Sequence, residues 1–509
     1  MKPARRAFLF VVLTFCALIQ SASLQAQTDS QLAAIDQYLA QAHIDWQVPG
    51  FAVAIVKDDQ VIFSKGYGVR EMESTHPVDG DTLFAIASNT KAFTAAALAI
   101  LVDEGVISWD DRVRDHLPYF ELHDPYTTED MRIRDLLCHR SGLGTYSGDL
   151  MWYGTAYSPR QVLERVEHLP QAGPFGRSYG YSNLMFLAAG ELIAAKAGVD
   201  WQFFIKNRLL EPLGMNRTVT STADLEGMEN VATPHKTSLT GNKKLAWFNW
   251  DSMAAAGGII SSVNDMTRWL RTQLKHGAID DNNRLFSAAA SQEMWRPHTL
   301  INISEAYQSK NPSTHFRAYG LGWSMRDYKG RKVLSHGGGY DGMYSRVVLV
   351  PEENIGMVVL TNSMTWLPTV ACNRILDEFL GGDKKDWSSL MLGEFQDDRR
   401  KFQQRISDAT TAQLPDTKPS RDLNHYAGTY VDAMYGDATV KLEDGNLVLN
   451  FAVNPDLTAD LIHLHLNTFR VDWRKEFAWF GAGNIQFDLD SKAQVTGFQL
   501  DIPNDDLWF

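Results

Sequence analysis

The segment FAIASNTKAF, residues 84–93, sets Ser88 three residues before Lys91 at the head of an alanine- and leucine-rich run. On a helix, residues three apart share a face, so the lysine amine could lie beside the serine hydroxyl and help take its proton. Partial positive charge at a helix N-terminus favours the developing alkoxide. Together these make an activated nucleophile without a histidine. An ordinary helix start, with Ser88 as cap and Lys91 as a solvated charge, reads the same locally. Ser88 is the only serine followed by lysine at this distance.

Two further segments carry chemistry. GRSYGYSNLMF holds Tyr181-Ser182-Asn183, the only Y-x-N in the chain. A cation near a phenol favours phenolate, which could act as general base and then as acid to a leaving group. Asn183 could offer its amide to the lysine or to a substrate carbonyl. A tyrosine packed at a loop-to-helix junction is the plainer reading. VLSHGGGYDG, residues 333–342, is strand-like with consecutive glycines. Glycines there let a substrate backbone approach closely, and one N–H could join that of Ser88 as an oxyanion hole. A glycine turn between strands is the alternative.

Ser88/Lys91, Tyr181/Asn183 and His336-Gly337-Gly338, in that chain order, resemble the serine β-lactamase and penicillin-binding protein superfamily. The likeness is closer to class C β-lactamases and the related esterases and D-peptidases. LLCHRSGLG, MAAAGGIISSVNDM and YGLGW (319–323) are similar to further family segments, and the resemblance covers roughly 30–380. It implies that Ser88 is acylated, that Lys91 and Tyr181 share the proton work, and that Asn183 positions groups. It also implies an oxyanion hole from the Ser88 and Gly339 N–H groups, with His336 and Gly338 lining the substrate side. No cofactor and no metal are implied.

One departure bears on substrate. β-Lactamases carry Lys-Thr-Gly where this chain has His336-Gly337-Gly338. A permanent cation and a hydroxyl are lost, which argues against efficient penicillin or cephalosporin hydrolysis. His336 would be a neutral donor near pH 7 or a cation below it, or purely structural. Arg346 could replace the lost charge, although most strand arginines are solvated.

The chain has 509 residues, too many for one ordinary core, with 44% hydrophobic and 21% charged residues. Its net charge of −13 argues against a nucleic-acid partner, which needs a basic face. Lys2, Arg5 and Arg6 precede a short apolar run from Ala7 to Ile19, and small residues follow to Ala26. That is the pattern of an export signal over 1–26, too short to span a bilayer. Cleavage there would take the charge from −13 to −16 and leave no stable membrane anchor, and the product would be periplasmic or secreted. Cys16 is a poor lipidation site because Phe15 precedes it. Cys138 and Cys372 then remain, too few for a disulfide framework; pairing or buried thiols both stay open.

The elements that would position these residues follow from periodicity. Residues 30–46 have helical spacing, and FAVAIVKDDQVIFSKGYG reads as a hairpin around Asp58-Asp59. Residues 110–300 are mostly helix and loop. Strands return at 331–362, and PTVACNRILDEFLGG closes as a helix. The expected fold class is α/β (α+β): an antiparallel sheet flanked by helices with a helical subdomain, over 27–383. Residues 384–420 read as a helical or mixed linker. Residues 421–509 read as a small all-β barrel similar to the lipocalin-like appendage of some superfamily members. His463 and His465 share a strand face there, with no third ligand for a metal.

The expected function is an exported serine hydrolase acting through an acyl-enzyme on small esters, amides or D-residue-containing peptides. A β-lactamase or cell-wall D-peptidase, and a non-catalytic sensor on the same fold, remain alternatives. The partner is a small-molecule or short-peptide substrate, and a homo-oligomer stays open.

Overall fold

Seven of the eight residues of β1 (Gly50–Lys57) are buried, so this strand must be covered on both faces. In the computed structural model, which describes residues 27–411 and 413–504, it lies between β2 (Gln60–Gly68) and β8 (Ile355–Thr361). The expected signal segment 1–26 and Cys16 lie outside the described residues. Asp58 and Asp59 both take positive φ, 50° and 62°, the conformation a two-residue hairpin turn requires. The remaining strands are β3 (Thr299–Leu300), β4 (Arg317–Tyr319), β5 (Ser324–Tyr328), β6 (Arg331–Tyr340) and β7 (Met343–Val350). The sheet order is β2-β1-β8-β7-β6-β5-β4-β3, antiparallel throughout.

Side-chain alternation sorts this sheet into two cores. Phe51, Val53, Ile55, Val348, Met357 and Val359 face one side. They pack there with Ile35 and Leu39 of α1 (27–45) and with Val370 and Ile375 of α5 (Leu367–Leu380). Ala52, Ala54, Val56, Leu349, Val358 and Leu360 face the other. There they meet α2 (Thr90–Asp103) and α4 (Val263–Leu274), whose Phe93 and Trp269 stack at 3.8 Å. Helix α2 is buried over twelve of its fourteen residues; its alanines let neighbouring elements approach on every side. Behind it, α3 (Asn183–Ala197) ends at Gly198 with φ 70°, the left-handed close of a helix C-terminus. Cys138 and Cys372 are free and buried, one in each core.

The glycines of 337–339 lie inside β6, and the turn comes after them at Asp341-Gly342. Residues 387–411 form helix α6 within the stretch read as a linker. It is tied to the first domain by the Trp387 indole, which donates to Asp377 at 2.7 Å. It is tied to the second by Asn484, whose amide donates to the Ala409 carbonyl at 3.2 Å. The second domain is a nearly closed antiparallel barrel of seven strands, each paired with the next. These are β9 (Gly428–Asp432), β10 (Gly436–Glu443), β11 (Asn446–Phe451), β12 (Asn454–His465), β13 (Thr468–Trp473), β14 (Gly483–Leu489) and β15 (Val495–Asp501).

The two domains pack against each other. Asn454 donates to the Tyr153 carbonyl at 2.8 Å, and the Ala156 N–H donates to the Val453 carbonyl at 2.8 Å. Lys236 pairs with Glu476 at 2.9 Å. Tyr153 lies 6.4 Å from the Phe477 ring and 6.3 Å from the Phe480 ring.

Candidate active site

Ser88 sits in a short 3-10 turn, Ala87–Asn89, directly before α2. The turn is strained: Ala87 has φ 47°, a left-handed conformation that costs a residue with a Cβ roughly 1–3 kcal/mol. Hydrogen bonds to β7 hold it. Asn89 donates to Ser345 Oγ at 2.8 Å, and that hydroxyl donates to the Ile86 carbonyl at 2.7 Å. The glycine strand presses on the same turn. A Cβ at Gly338 would lie 2.2 Å from the Ile86 oxygen and 2.3 Å from Ser345 Oγ, so only glycine fits there.

Lys91 is fully buried. Its Nζ donates to Ser88 Oγ at 3.0 Å, Asn183 Oδ1 at 2.7 Å and the Ala256 carbonyl at 2.9 Å. These use all three protons of an ammonium. Burial lowers this amine to about 7 against the pull of Asp149; removal from water penalises the charged form. Asn183, the first residue of α3, passes its amide to Asp149 Oδ2 at 2.7 Å, and the Trp152 indole donates to Asp149 Oδ1 at 2.9 Å. A buried carboxylate thus stands one amide away from the lysine. Two further segments bear on this residue. Ala256, just before Gly257-Gly258, supplies the carbonyl to the amine, and Gly322 packs on its backbone, where a Cβ would meet the Lys91 carbonyl oxygen at 2.8 Å.

Tyr181 lines the same cavity as Ser88, whose hydroxyl favours the ionised phenol. Burial outweighs this and holds the phenol well above its ordinary value, opposite to the phenolate expected from a lysine neighbour. Two features explain the reversal. The amine lies over the Tyr181 ring, 4.9 Å from its centroid, and an amine near 7 carries only part of its charge. His139 packs against the same ring at 4.1 Å, tilted by 33°, and accepts the Ser182 N–H at Nδ1 (3.1 Å). Burial keeps His139 neutral.

His336 also departs from expectation. Its Nδ1 must donate to the Gly337 carbonyl at 2.6 Å, because a carbonyl only accepts, which leaves Nε2 to accept from the Tyr319 hydroxyl at 2.6 Å. Burial, with the Lys91 and Arg346 charges, pushes it down to about 3. The ring is therefore neutral at pH 7 and well below, not a cation just under neutrality, and both nitrogens serve protein partners.

Ser88, Tyr181, Asn183, His336, Gly338 and Gly339 line one cavity of about 410 Å³, with Lys91 reaching Ser88 from behind. Arg346 lines it too, paired across from Gly337. Its Nε has no hydrogen-bond partner, and its one side-chain hydrogen bond among the described residues is a long 3.5 Å contact to Thr369. It is half-buried and lines the pocket. Asp149 and Trp479 join the site without any motif to announce them, and Tyr319 and Asp341 lie inside the segments 319–323 and 333–342, where no spacing singles them out.

The sequence profile of the Beta-lactamase family matches residues 33–379, and that of a domain of unknown function, DUF3471, matches residues 412–509. Unguisins hydrolase ungD' of Aspergillus campestris is 28% identical over 436 residues, covering 81% of this chain and 78% of that relative. Protein flp of Staphylococcus aureus is 27% identical over 64% of this chain and 61% of its own length. Among solved structures, the octameric penicillin-binding protein homologue from Pyrococcus abyssi superposes with TM-score 0.59 at 22% identity, covering 93% of this chain and 98% of that one. D-amino acid amidase from Ochrobactrum anthropi SV3 superposes with TM-score 0.58 at 23% identity, covering 69% and 100%. These two likenesses speak to the fold. With the matched profile spanning most of the chain, the protein belongs to the Beta-lactamase family and is a serine hydrolase of that family.

Proposed function

We propose that the protein is exported and hydrolyses small esters, amides or D-residue-containing peptides through an acyl-enzyme on Ser88. The observation that carries this reading is the buried Lys91 amine, 3.0 Å from Ser88 Oγ and brought to about 7. A general base works best with a pKa near the working pH. Neutral Lys91 takes the Ser88 proton as Oγ attacks the substrate carbonyl carbon. The Ser88 and Gly339 N–H groups receive the oxyanion. Tyr181, kept protonated by burial, passes a proton to the leaving group and is refilled from Lys91. Water then attacks the acyl-enzyme by the same steps in reverse order, releasing the acid and restoring Ser88. Asn183 holds the amine in line.

The substrate class draws on the His336-Gly337-Gly338 motif and on two similar proteins, a D-amino acid amidase and an unguisins hydrolase. Export rests on the pattern of residues 1–26, and N-terminal sequencing of the mature protein should find a start at Gln27. Assembly into a homo-oligomer is supported by the octameric homologue. The test of the reaction is labelling of the purified protein by a fluorophosphonate and by labelled penicillin, beside Ser88→Ala. Fluorophosphonate labelling without penicillin labelling, lost in Ser88→Ala, is expected. Labelling by both would favour the β-lactamase or D-peptidase reading, and labelling by neither a non-catalytic sensor.

A further inference from the structure

The β13–β14 loop of the C-terminal barrel, residues 474–482, reaches across to the hydrolase domain. Phe477, Ala478 and Phe480 are buried in it, and Ala478 packs with Leu245 and Met364 of the first domain. Trp479 joins that cluster yet stays half-exposed, because its ring also faces the Ser88 cavity. A Cβ at Gly339 would lie 3.0 Å from Trp479 Cη2, and the indole is 6.3 Å from the Tyr344 ring.

Asp341 beside the indole is a buried carboxylate that accepts from the Tyr153 hydroxyl at 2.5 Å and the Trp250 indole at 2.9 Å, and the neighbouring Trp479 favours its charged form. Two donors from two parts of the chain thus converge on one carboxylate at the domain junction. Tyr153 is itself held from the barrel side through Asn454. A satisfied buried network specifies one arrangement, and Phe477, Ala478 and Phe480 bury the loop on both sides of Trp479, so the indole forms a wall, not a flap.

Its location says which part of a substrate it meets. Tyr181, the donor to the leaving group in the proposed reaction, lies toward the other end of the strand, 6.2 Å from the His336 ring. A carbonyl seated on the Ser88 and Gly339 N–H groups with its leaving group toward Tyr181 directs its acyl group toward Gly339, Tyr344 and Trp479. We infer that Trp479, supplied by the C-terminal domain, sets acyl specificity by capping the acyl subsite against bulky groups, with Asp341 as its positioning residue. The substrates it admits carry a short or flat acyl group; long or branched ones meet the indole.

This inference rests on the Ser88 acyl-enzyme reading, and one set of full-length proteins separates the two. The readout is the ratio of kcat/KM for p-nitrophenyl octanoate to that for p-nitrophenyl acetate. Trp479→Ala should raise this ratio about tenfold or more, the scale on which pocket size discriminates hydrocarbon. Asp341→Asn, which replaces one acceptor oxygen by a donor, should move it the same way by about threefold. Trp479→Leu keeps apolar packing at the junction and carries the comparison should the alanine variant lose its fold. A ratio within twofold of the parent in the folded variants, with Ser88 still labelled by fluorophosphonate, overturns the role of Trp479 alone. Absence of labelling in the parent overturns both readings.

Discussion

Two cations border the same cavity, Lys91 buried and Arg346 half-buried, and they meet desolvation in opposite ways. Lys91 has three hydrogen-bond acceptors, and burial lowers it to about 7. Arg346 has an unpartnered Nε and one long contact, and burial lowers it as well. A guanidinium keeps its proton at any pH a protein survives. Desolvation therefore turns the amine into a proton acceptor and the guanidinium into a standing demand for an anion. One region is built for chemistry and the other for recognition, and partner count with side-chain type tells them apart.

The hardest test of that contrast is exchange of the two side-chain types. Lys91→Arg should be as damaging as Lys91→Ala, each lowering turnover by about a hundredfold or more, because a guanidinium cannot act as base. Steady-state kinetics on a p-nitrophenyl ester checks this; substantial activity in Lys91→Arg would break the distinction. Tyr181→Phe, which keeps the ring and removes the hydroxyl, should cost on the order of a hundredfold, more in kcat than in KM.

A smaller effect sharpens the electrostatic account. The Asp149 charge raises Lys91, so Asp149→Asn should move the acid limb of the pH–rate profile to lower pH. A limb that stays in place or moves up would refute the coupling.

The smallest effect is on stability. Folded Lys91 releases its proton near 7, whereas an unfolded lysine holds it to about 10.4. The unfolded state binds more protons between those values, so Lys91 contributes stability that rises with pH there, by up to about 1 kcal/mol per pH unit. The gap in denaturation free energy between the parent and Lys91→Met should shift toward the parent across this window. The gap between the parent and Arg346→Met should stay flat.

How much of this could be read before folding depends on where each cause lies. The Ser88/Lys91 and Tyr181/Asn183 spacings are local, so the helices that follow them were legible, although Ser88 lies in a 3-10 turn before the helix that starts at Thr90. The short apolar, β-rich runs of β1, β7 and β8 made the sheet legible for the same reason. Signs of pKa shifts were not: Tyr181 and His336 depend on burial and on which atom of a neighbour they face. Asp149, Asp341 and Trp479 matter because the Asp149–Met151 turn, the Asp341-Gly342 turn and a barrel loop arrive at one site, and no period or spacing encodes that meeting. The all-β character of residues 421–509 was visible; the approach of the 474–482 loop to the hydrolase domain was not.

Ser88, on this reading, is activated by a lysine that burial keeps neutral near pH 7 and so free to take its proton. The direct measurement is the rate of Ser88 labelling by a fluorophosphonate from pH 5 to 9 in the parent and in Lys91→Ala. The account expects the parent rate to rise through a single apparent pKa near 7 and level off above it, and expects that step to vanish in Lys91→Ala. A flat parent profile, or the same step surviving without the amine, would contradict it.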